Sequence, residues 1–430
     1  MKSLFEKFSS RANLIQAWNY LNKSNPQSHG LDGETIEGFQ KNLIQNIKQI
    51  QRQLRDGAYS FQLPRGHLIP KDNGKKRPLK IPAVRDRVVM HGILNVIRRF
   101  FKKYQHRCSY AYIEDRSRQD ALREIIRLRD GGYWHVLESD IVNFFDKVNQ
   151  ELLTGVVYAE LSDSTLNSLI KSSLNAEIGN KSRFPDKDLQ YFPDGTVGLA
   201  QGGILSPLFS NVYLSRFDSA MVHEGFKMIR YADDFIVLCK DAGTAKNAYD
   251  FASSFLIQNL GLEIHNPDDK KTRITTFAEG FDFLGITFNH NSICPNEKAR
   301  NRFRSKITEL SSKKGFKNLA GTLNKLRLII LGWGHSYSFC HAENMKDGNP
   351  SMIATINSLE KTIGKTVEGI LNRSELAPKG KLRGYHYRVM GIPSLKQVLD
   401  MPPLIQYQKR RRKNEQARIK SVLGLLPGSL

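Results

Sequence analysis

The sequence predicts an α+β protein with more than one lobe, and three observations carry that prediction. Segments with helical periodicity alternate with short strand-prone runs that fold back on themselves. The 430 residues exceed what one simple core holds. One strand-prone pair, in residues 226–240, carries two adjacent carboxylates, Asp233 and Asp234, between Met228-Ile229-Arg230 and Phe235-Ile236-Val237-Leu238, which are apolar but for Arg230.

The elements follow in chain order. Residues 1–60 predict helices, with Leu14, Ala17, Trp18 and Leu21, then Phe39, Leu43, Ile47, Ile50 and Leu54, at helical spacing. A loop rich in Pro, Gly and Asn separates them at residues 25–33. Residues 59–82 predict a hairpin: strand-prone 60–63 and 67–70 lead to a polar tip at 71–77, and 78–82 returns. Residues 85–103 and 117–129 predict helices, the second with Ser117 as N-cap. Residues 134–145 predict a strand and 152–174 a helix, while the polar stretch 175–200 predicts a hairpin or insertion. A helix follows at 206–221 with Pro207 in its first turn, then the hairpin with the Asp pair, then a helix at 244–260. Residues 280–288 predict a short hairpin, and basic helices follow from about residue 296.

Lys and Arg total 65 against 42 Asp and Glu, a net charge of +23. Such an excess points to a polyanionic partner, most often nucleic acid. The four cysteines, Cys108, Cys239, Cys294 and Cys340, share no CxxC spacing, which argues against structural zinc and a disulfide framework. The N-terminus lacks the apolar core of a signal peptide, and no apolar run reaches the roughly 18–20 residues of a membrane span. These features predict a cytoplasmic protein without a membrane partner.

Adjacent carboxylates amid apolar strands are costly unless something neutralises them. Divalent cations would do so. Asp140 supplies a third carboxylate in another strand-prone run, Leu137-Glu138-Ser139-Asp140-Ile141-Val142. Three Asp on neighbouring strand ends could hold two Mg²⁺ ions about 3.5–4 Å apart, the arrangement that drives in-line phosphoryl transfer. An Asp-Asp pair alone is usually an ordinary turn, so the surrounding motifs decide.

Those motifs, read in order, resemble the reverse transcriptase domain of bacterial group II intron proteins and their relatives, over about residues 28–345. Gly30-Leu31-Asp32-Gly33-Glu34-Thr35 matches that family's N-terminal extension. Ile69-Pro70-Lys71 through Arg77-Pro78-Leu79 and Ile81-Pro82, with Asp86-Arg87-Val88, matches its fingers motif. Asp140-Ile141 with Phe144-Phe145-Asp146 matches the palm motif of the first catalytic Asp. Gly198-Leu199-Ala200-Gln201-Gly202-Gly203 through Ser206-Pro207 matches the template and nucleotide motif. Tyr231-Ala232-Asp233-Asp234 is the catalytic hairpin in the form typical of this bacterial group. Gly261-Leu262-Glu263-Ile264 with Lys271-Thr272, and Phe283-Leu284-Gly285, match the following motif and the primer grip.

The resemblance implies a right-hand polymerase: fingers, a palm with an antiparallel sheet, an α-helical thumb and a small C-terminal extension. The expected domains are an N-terminal helical extension at 1–58, fingers and palm at 59–295, thumb at 296–348 and a basic extension at 349–430. It implies an RNA-directed DNA polymerase, with Asp140, Asp233 and Asp234 catalytic and, together with Ile141, at the metal site. Mg²⁺ is the expected ion, two per site, with Mn²⁺ a substitute. Lys71 and Arg77 would close over the triphosphate, and Gln201 would contact the nucleotide. Phe145 would stack under the deoxyribose and exclude a 2′-hydroxyl. Lys271 would protonate or stabilise the leaving pyrophosphate. Gly285 and the basic run Lys409, Arg410, Arg411 and Arg412 would contact nucleic acid. Leu331-Gly332-Trp333-Gly334-His335-Ser336-Tyr337 matches a thumb signature.

The chain departs from full mobile-intron proteins, because neither their DNA-binding segment nor their Cys/His-bearing nuclease signature is present. That favours a stand-alone enzyme of the defence-associated kind that limits phage, copying a structured non-coding RNA encoded beside it into DNA from dNTPs. The alternatives are a maturase-like intron RNA-binding protein, or a template-independent or protein-primed DNA polymerase.

Overall fold

The computed structural model describes residues 3–70, 74, 76–161, 163–175, 177–192, 197–267, 271–290, 292–346, 351–374, 382 and 384–400. The chain divides into two compact units, 1–275 and 276–430.

The first unit is built on a four-stranded sheet of order β4-β5-β3-β6. Its strands are β3 (His135–Asp140), β4 (Lys227–Tyr231), β5 (Asp234–Cys239) and β6 (Arg273–Thr276). The separate hairpin of β1 (Arg65–Pro70) and β2 (Lys76–Ile81) lies upstream. Strand β5 runs antiparallel to both β3 and β4. Phe235 through Cys239 are all buried, as expected of an inner strand with helices packed against its sheet. Helices Ser206–His223 and Ala242–Leu260 supply that packing through side chains such as Phe209, Leu214, Phe217, Ala248 and Leu256. The N-terminal helices join the same core, where Phe8, Leu14, Trp18 and Ile47 cluster with Val88, Ile93 and Ile97 of helix Val84–Ile97.

Several local expectations hold in detail. Ser117 caps helix Arg118–Asp130 in a reciprocal capping box with Asp120. Pro207 sits in the first turn of its helix.

Others fail for identifiable reasons. The strand predicted over 134–145 ends at Asp140; Asn143 turns left-handed at φ 49° and starts a single helical turn, Phe144–Lys147. Phe144 and Phe145 therefore do not alternate across a sheet. The helix predicted over 152–174 breaks after Glu160. There the Asp163 carboxylate accepts from Thr165 N at 3.0 Å and from Leu4 N, at the start of helix Leu4–Phe8, at 2.9 Å. Residues 60–63 form no strand: Gln62 N donates to the buried Asp86 carboxylate at 3.0 Å instead of to a partner strand. Within 175–200 the described residues form short helical turns, Lys181–Arg183 and Asp186–Leu189, rather than a hairpin.

The second unit begins with an antiparallel sheet of β7 (Phe281–Phe283), β8 (Ile286–Phe288) and β9 (Ile293–Pro295). Phe281 faces Phe288 in register, and their rings stack at 5.1 Å. Helices Glu297–Leu310, Leu319–Lys346, Ser351–Arg373, Gly384–Val389 and Leu395–Leu399 follow. Trp333 packs its ring 5.1 Å from Phe303 and 4.7 Å from Tyr337. Gly334 lets the short helix Leu395–Leu399 approach, since a Cβ there would lie 2.5 Å from Val398 Cγ1. The Gly-Trp and Tyr signature thus has a packing role within this unit.

Candidate active site

The register of the sheet assembles three carboxylates. Asp140 stands opposite Asp234 across β3 and β5, and Tyr231 stands opposite Asp234 across β4 and β5. Directly opposed residues of an antiparallel pair hold their Cβ atoms about 4.5–5.5 Å apart. Asp233 occupies the second position of the two-residue turn Ala232-Asp233. Ile141 N donates to Asp233 O at 3.2 Å, and Val142 N donates to Glu263 O at 2.8 Å, so the chain leaving β3 is tied on both sides.

The turn is held from beneath. Arg230, fully buried, donates from Nε and Nη2 to both carboxylate oxygens of the equally buried Asp218, at 2.6 and 2.5 Å. Its Nη1 donates to Ala232 O at 2.9 Å and to Asn211 Oδ1 at 3.2 Å. A buried guanidinium needs such saturation, because each unpaired donor would keep its desolvation cost.

The electrostatics follow from crowding. Burial pushes the Asp234 carboxyl up to about 7, with Asp233, Asp140 and Glu138 adding repulsion and Lys271 opposing it. The Asp234 side chain keeps an exposed face, and that solvent contact tempers the shift. Asp233 is also raised, first by burial and then by Asp140, with Arg77 and Arg230 pulling it down. Lys271 Nζ lies 3.2 Å from Asp140 Oδ2 and 3.2 Å from His265 Nε2, which is 3.7 Å from Asp140 Oδ1. Asp140 Oδ1 is buried and accepts no hydrogen bond.

An acceptor without a donor and a set of carboxyls resisting ionisation suit a divalent cation. Among the described residues, no group of three or more His, Cys, Asp or Glu side chains could enclose an ion by itself. Mg²⁺ rarely uses an all-protein cage: it takes one or two carboxylates and completes its shell with water and substrate phosphates. The donor set here fits that pattern.

The predicted nucleotide contacts lie on the same unit. Arg77 is in β2 opposite Ile69, near enough to Asp233 to lower its pKa. Gln201 O accepts from Lys80 N at 3.4 Å, joining the Gln-Gly-Gly loop to β2. Gly202 has φ +87°, and a Cβ on Gly203 would lie 2.5 Å from Ser206 Oγ. Both glycines are thus required by the loop itself. Gln201 and Gly202 help line a cavity of about 220 Å³ with Leu79, Arg87 and His91. Phe145 packs edge-to-face on Phe144 at 5.2 Å, and its carbonyl accepts from Leu199 N at 2.6 Å, next to that loop. Gly285 belongs to the second unit. Lys71, Lys409, Arg410, Arg411 and Arg412 lie outside the described residues.

Sequence reasoning missed His265 beside Asp140 and the half-exposed Tyr112, whose phenol is raised by burial and by the charge of Asp233. It noted Arg230 as the one charged residue in the stretches 228–230 and 235–238 that flank the turn and gave it no role.

Residues 69–288 match the family model described as reverse transcriptase (RNA-dependent DNA polymerase). The chain belongs to the reverse transcriptase family. It is 29% identical over 339 residues to protein YkfC of Escherichia coli K12, covering 67% of this chain and 86% of YkfC. It is 31% identical over 218 residues to the group II intron-encoded protein LtrA of Lactococcus lactis, covering 50% of this chain and 34% of LtrA. The retron Ec83 reverse transcriptase of E. coli is 24% identical and aligns with 71% of this chain and 89% of its own length. As a reverse transcriptase the protein is an RNA-directed DNA polymerase, and the mixed helical and antiparallel architecture is that of its family. Reverse transcriptases as a family use divalent metal ions. Among the described residues, no helix is long and apolar enough to cross a membrane.

Proposed function

We propose that this reverse transcriptase copies a cognate structured RNA into DNA at the centre formed by Asp140, Asp233 and Asp234, and that the product serves defence against phage. The observation that carries the catalytic reading is the registered pair Asp140 and Asp234, with Asp233 at the adjoining turn and the acids pushed toward neutrality.

Asp140, Asp233 and Asp234 would hold two Mg²⁺ ions, with the Ile141 carbonyl a further oxygen at the site. The ions would lower the pKa of the primer 3′-hydroxyl and stabilise charge developing on the phosphate. The remaining work belongs to the chain. Arg77 and Lys71 neutralise the incoming triphosphate. Gln201, fixed through its carbonyl to β2, presents its amide to the nucleotide. Phe145 holds the sugar and excludes a 2′-hydroxyl. Lys271 and its partner His265 sit beside Asp140, where Lys271 donates a proton or a charge to the departing pyrophosphate. The +23 charge supports a backbone-gripping role toward template and primer. The dedicated RNA template and the defence role rest on the resemblance to stand-alone reverse transcriptases that Tyr231-Ala232-Asp233-Asp234 and the other group II-like motifs carry.

The test is to express the chain with its flanking genomic DNA and sequence the nucleic acids that co-purify, comparing wild type with Asp233→Ala/Asp234→Ala. A defined RNA in both and complementary DNA only in wild type is the expected result. RNA without DNA in either would replace this reading with a maturase-like RNA binder. DNA matching no RNA would indicate template-independent synthesis. Loss of phage protection in the double variant tests the defence role separately.

A further inference from the structure

Ala232 is the first central residue of the catalytic turn and holds φ +64°, while Asp233 after it is not left-handed. That is the pattern of a type II′ hairpin turn, whose first central position favours glycine. An alanine there is strained, because its Cβ crowds the following carbonyl. Strain of this kind persists only where the surroundings over-determine it.

The surroundings that do so are identifiable. Arg230 Nη1 donates to Ala232 O at 2.9 Å, the carbonyl of the strained residue itself. The guanidinium is fixed in turn by the two-pronged contact with Asp218 and by Asn211. Its backbone is clamped as well: Arg230 N donates to Cys108 O at 2.8 Å and Tyr110 N donates to Arg230 O at 2.9 Å. Asn211 closes the network by donating to Ala111 O at 2.9 Å. Arg230, Asp218, Asn211, Ala232, Cys108 and Ala111 are all buried, and Tyr110 is half-buried.

We propose that Arg230, oriented by Asp218 and Asn211, is a positioning residue that holds the Ala232 turn in its left-handed form and thereby aims Asp233 and Asp234. It touches neither substrate nor metal. This rests on the assignment of Asp233 and Asp234 as the catalytic carboxylates. Lysine cannot replace it, because one ammonium cannot both bridge the Asp218 carboxylate and reach the Ala232 carbonyl in fixed geometry.

The test measures RNA-templated primer extension for wild type, Arg230→Lys, Ala232→Gly and the Arg230→Lys/Ala232→Gly double variant, with Asp233→Ala as reference. Template–primer binding is measured for each, to show that the unit is folded. Arg230→Lys should lower kcat about a hundredfold, the scale of a small misplacement of reacting groups, with KM for dNTP and template–primer affinity nearly unchanged. Ala232→Gly alone is the background against which the double variant is read. The double variant should recover about five- to tenfold of the lost kcat, since glycine takes the left-handed form without the Cβ clash.

Wild-type kcat in Arg230→Lys overturns the proposal. So does a double variant no better than Arg230→Lys, because a merely structural loss would not respond to glycine at the turn. If Arg230→Lys fails to bind template–primer, Asn211→Ala takes its place: it removes one support of the guanidinium and leaves the ion pair, and unchanged kcat there also overturns the proposal. Substantial synthesis by Asp233→Ala would instead remove the catalytic assignment on which the inference rests.

Discussion

Among the described residues two hairpins are closed by two-residue turns, and they solve the turn problem in opposite ways. In the second unit, Leu284-Gly285 joins β7 to β8 with both residues left-handed, φ 52° and 80°, the type I′ pattern. Its flanks stack Phe281 on Phe288, and apolar contact holds the register. In the first unit, Ala232-Asp233 joins β4 to β5 with alanine where glycine is favoured and two carboxylates crowded beside it. No apolar contact can stabilise those charges. A buried arginine secures the backbone instead, and the carboxylates are left wanting a cation. Both turns hold a non-glycine residue in the left-handed region, but one rests on apolar packing and the other gathers charge where chemistry is proposed to occur.

The largest expected contrast is catalytic. Asp233→Asn should lower RNA-templated synthesis by more than about a thousandfold, the scale of removing a central electrostatic group, while RNA binding persists in a filter or anisotropy assay. Leu284→Gly in the other turn should change stability by no more than about 1 kcal/mol in chemical denaturation.

Next in size is the support of the Ala232-Asp233 turn. Asp218→Ala leaves Arg230 charged and buried without its partner, which should cost about 3–5 kcal/mol of unfolding free energy. A denaturation midpoint equal to wild type would show that Arg230 finds compensation elsewhere.

A smaller effect separates the turns by their response to pH and cation. The raised Asp234 carboxyl, at about 7, makes the cation-free fold more stable at low pH. That stability is fully present below the unfolded value near 4 and is lost as pH rises through about 7. Mg²⁺ should therefore raise the melting temperature more at pH 8 than at pH 5, because at pH 5 it must displace protons. An equal shift at both values would contradict the carboxyl coupling. The Asp86 carboxyl adds a cation-independent slope of the same sign, since burial lifts it to about 6 against the hydrogen bonds from Tyr59 and Gln62.

The smallest contrast concerns sugar selection. Phe145→Ala should narrow the preference for dNTP over NTP by about tenfold or more, with Asp140 undisturbed; unchanged selectivity would return Phe145 to a packing role.

The hairpin of the proposed site was legible because Asp233 and Asp234 break a largely apolar, strand-prone stretch at a single point. The pairing of β3 with β5 could be anticipated only in outline, since register depends on contacts between residues nearly a hundred positions apart. Phe144 and Phe145 prolonged the β3 prediction because aromatic residues favour strands; Asn143, which tolerates the left-handed form, was the overlooked stop signal. Arg230 stood out as the one charge in the stretches flanking the turn, yet its partner Asp218 lies on a helix twelve residues upstream, where no local pattern announces the pair. His265 reaches Asp140 only through the fold of the chain around the sheet.

The central claim is that Asp140, Asp233 and Asp234 form the centre of RNA-directed DNA synthesis. Its most direct test is extension of a DNA primer on a defined RNA template, with dNTPs and Mg²⁺, by wild type and by Asp140→Asn, Asp233→Asn and Asp234→Asn, with template–primer affinity measured in parallel. The account predicts cation-dependent extension by wild type, and loss of extension with retained affinity in Asp140→Asn and Asp233→Asn. Robust extension by either of those two variants, or none by wild type on any template it binds, would contradict it.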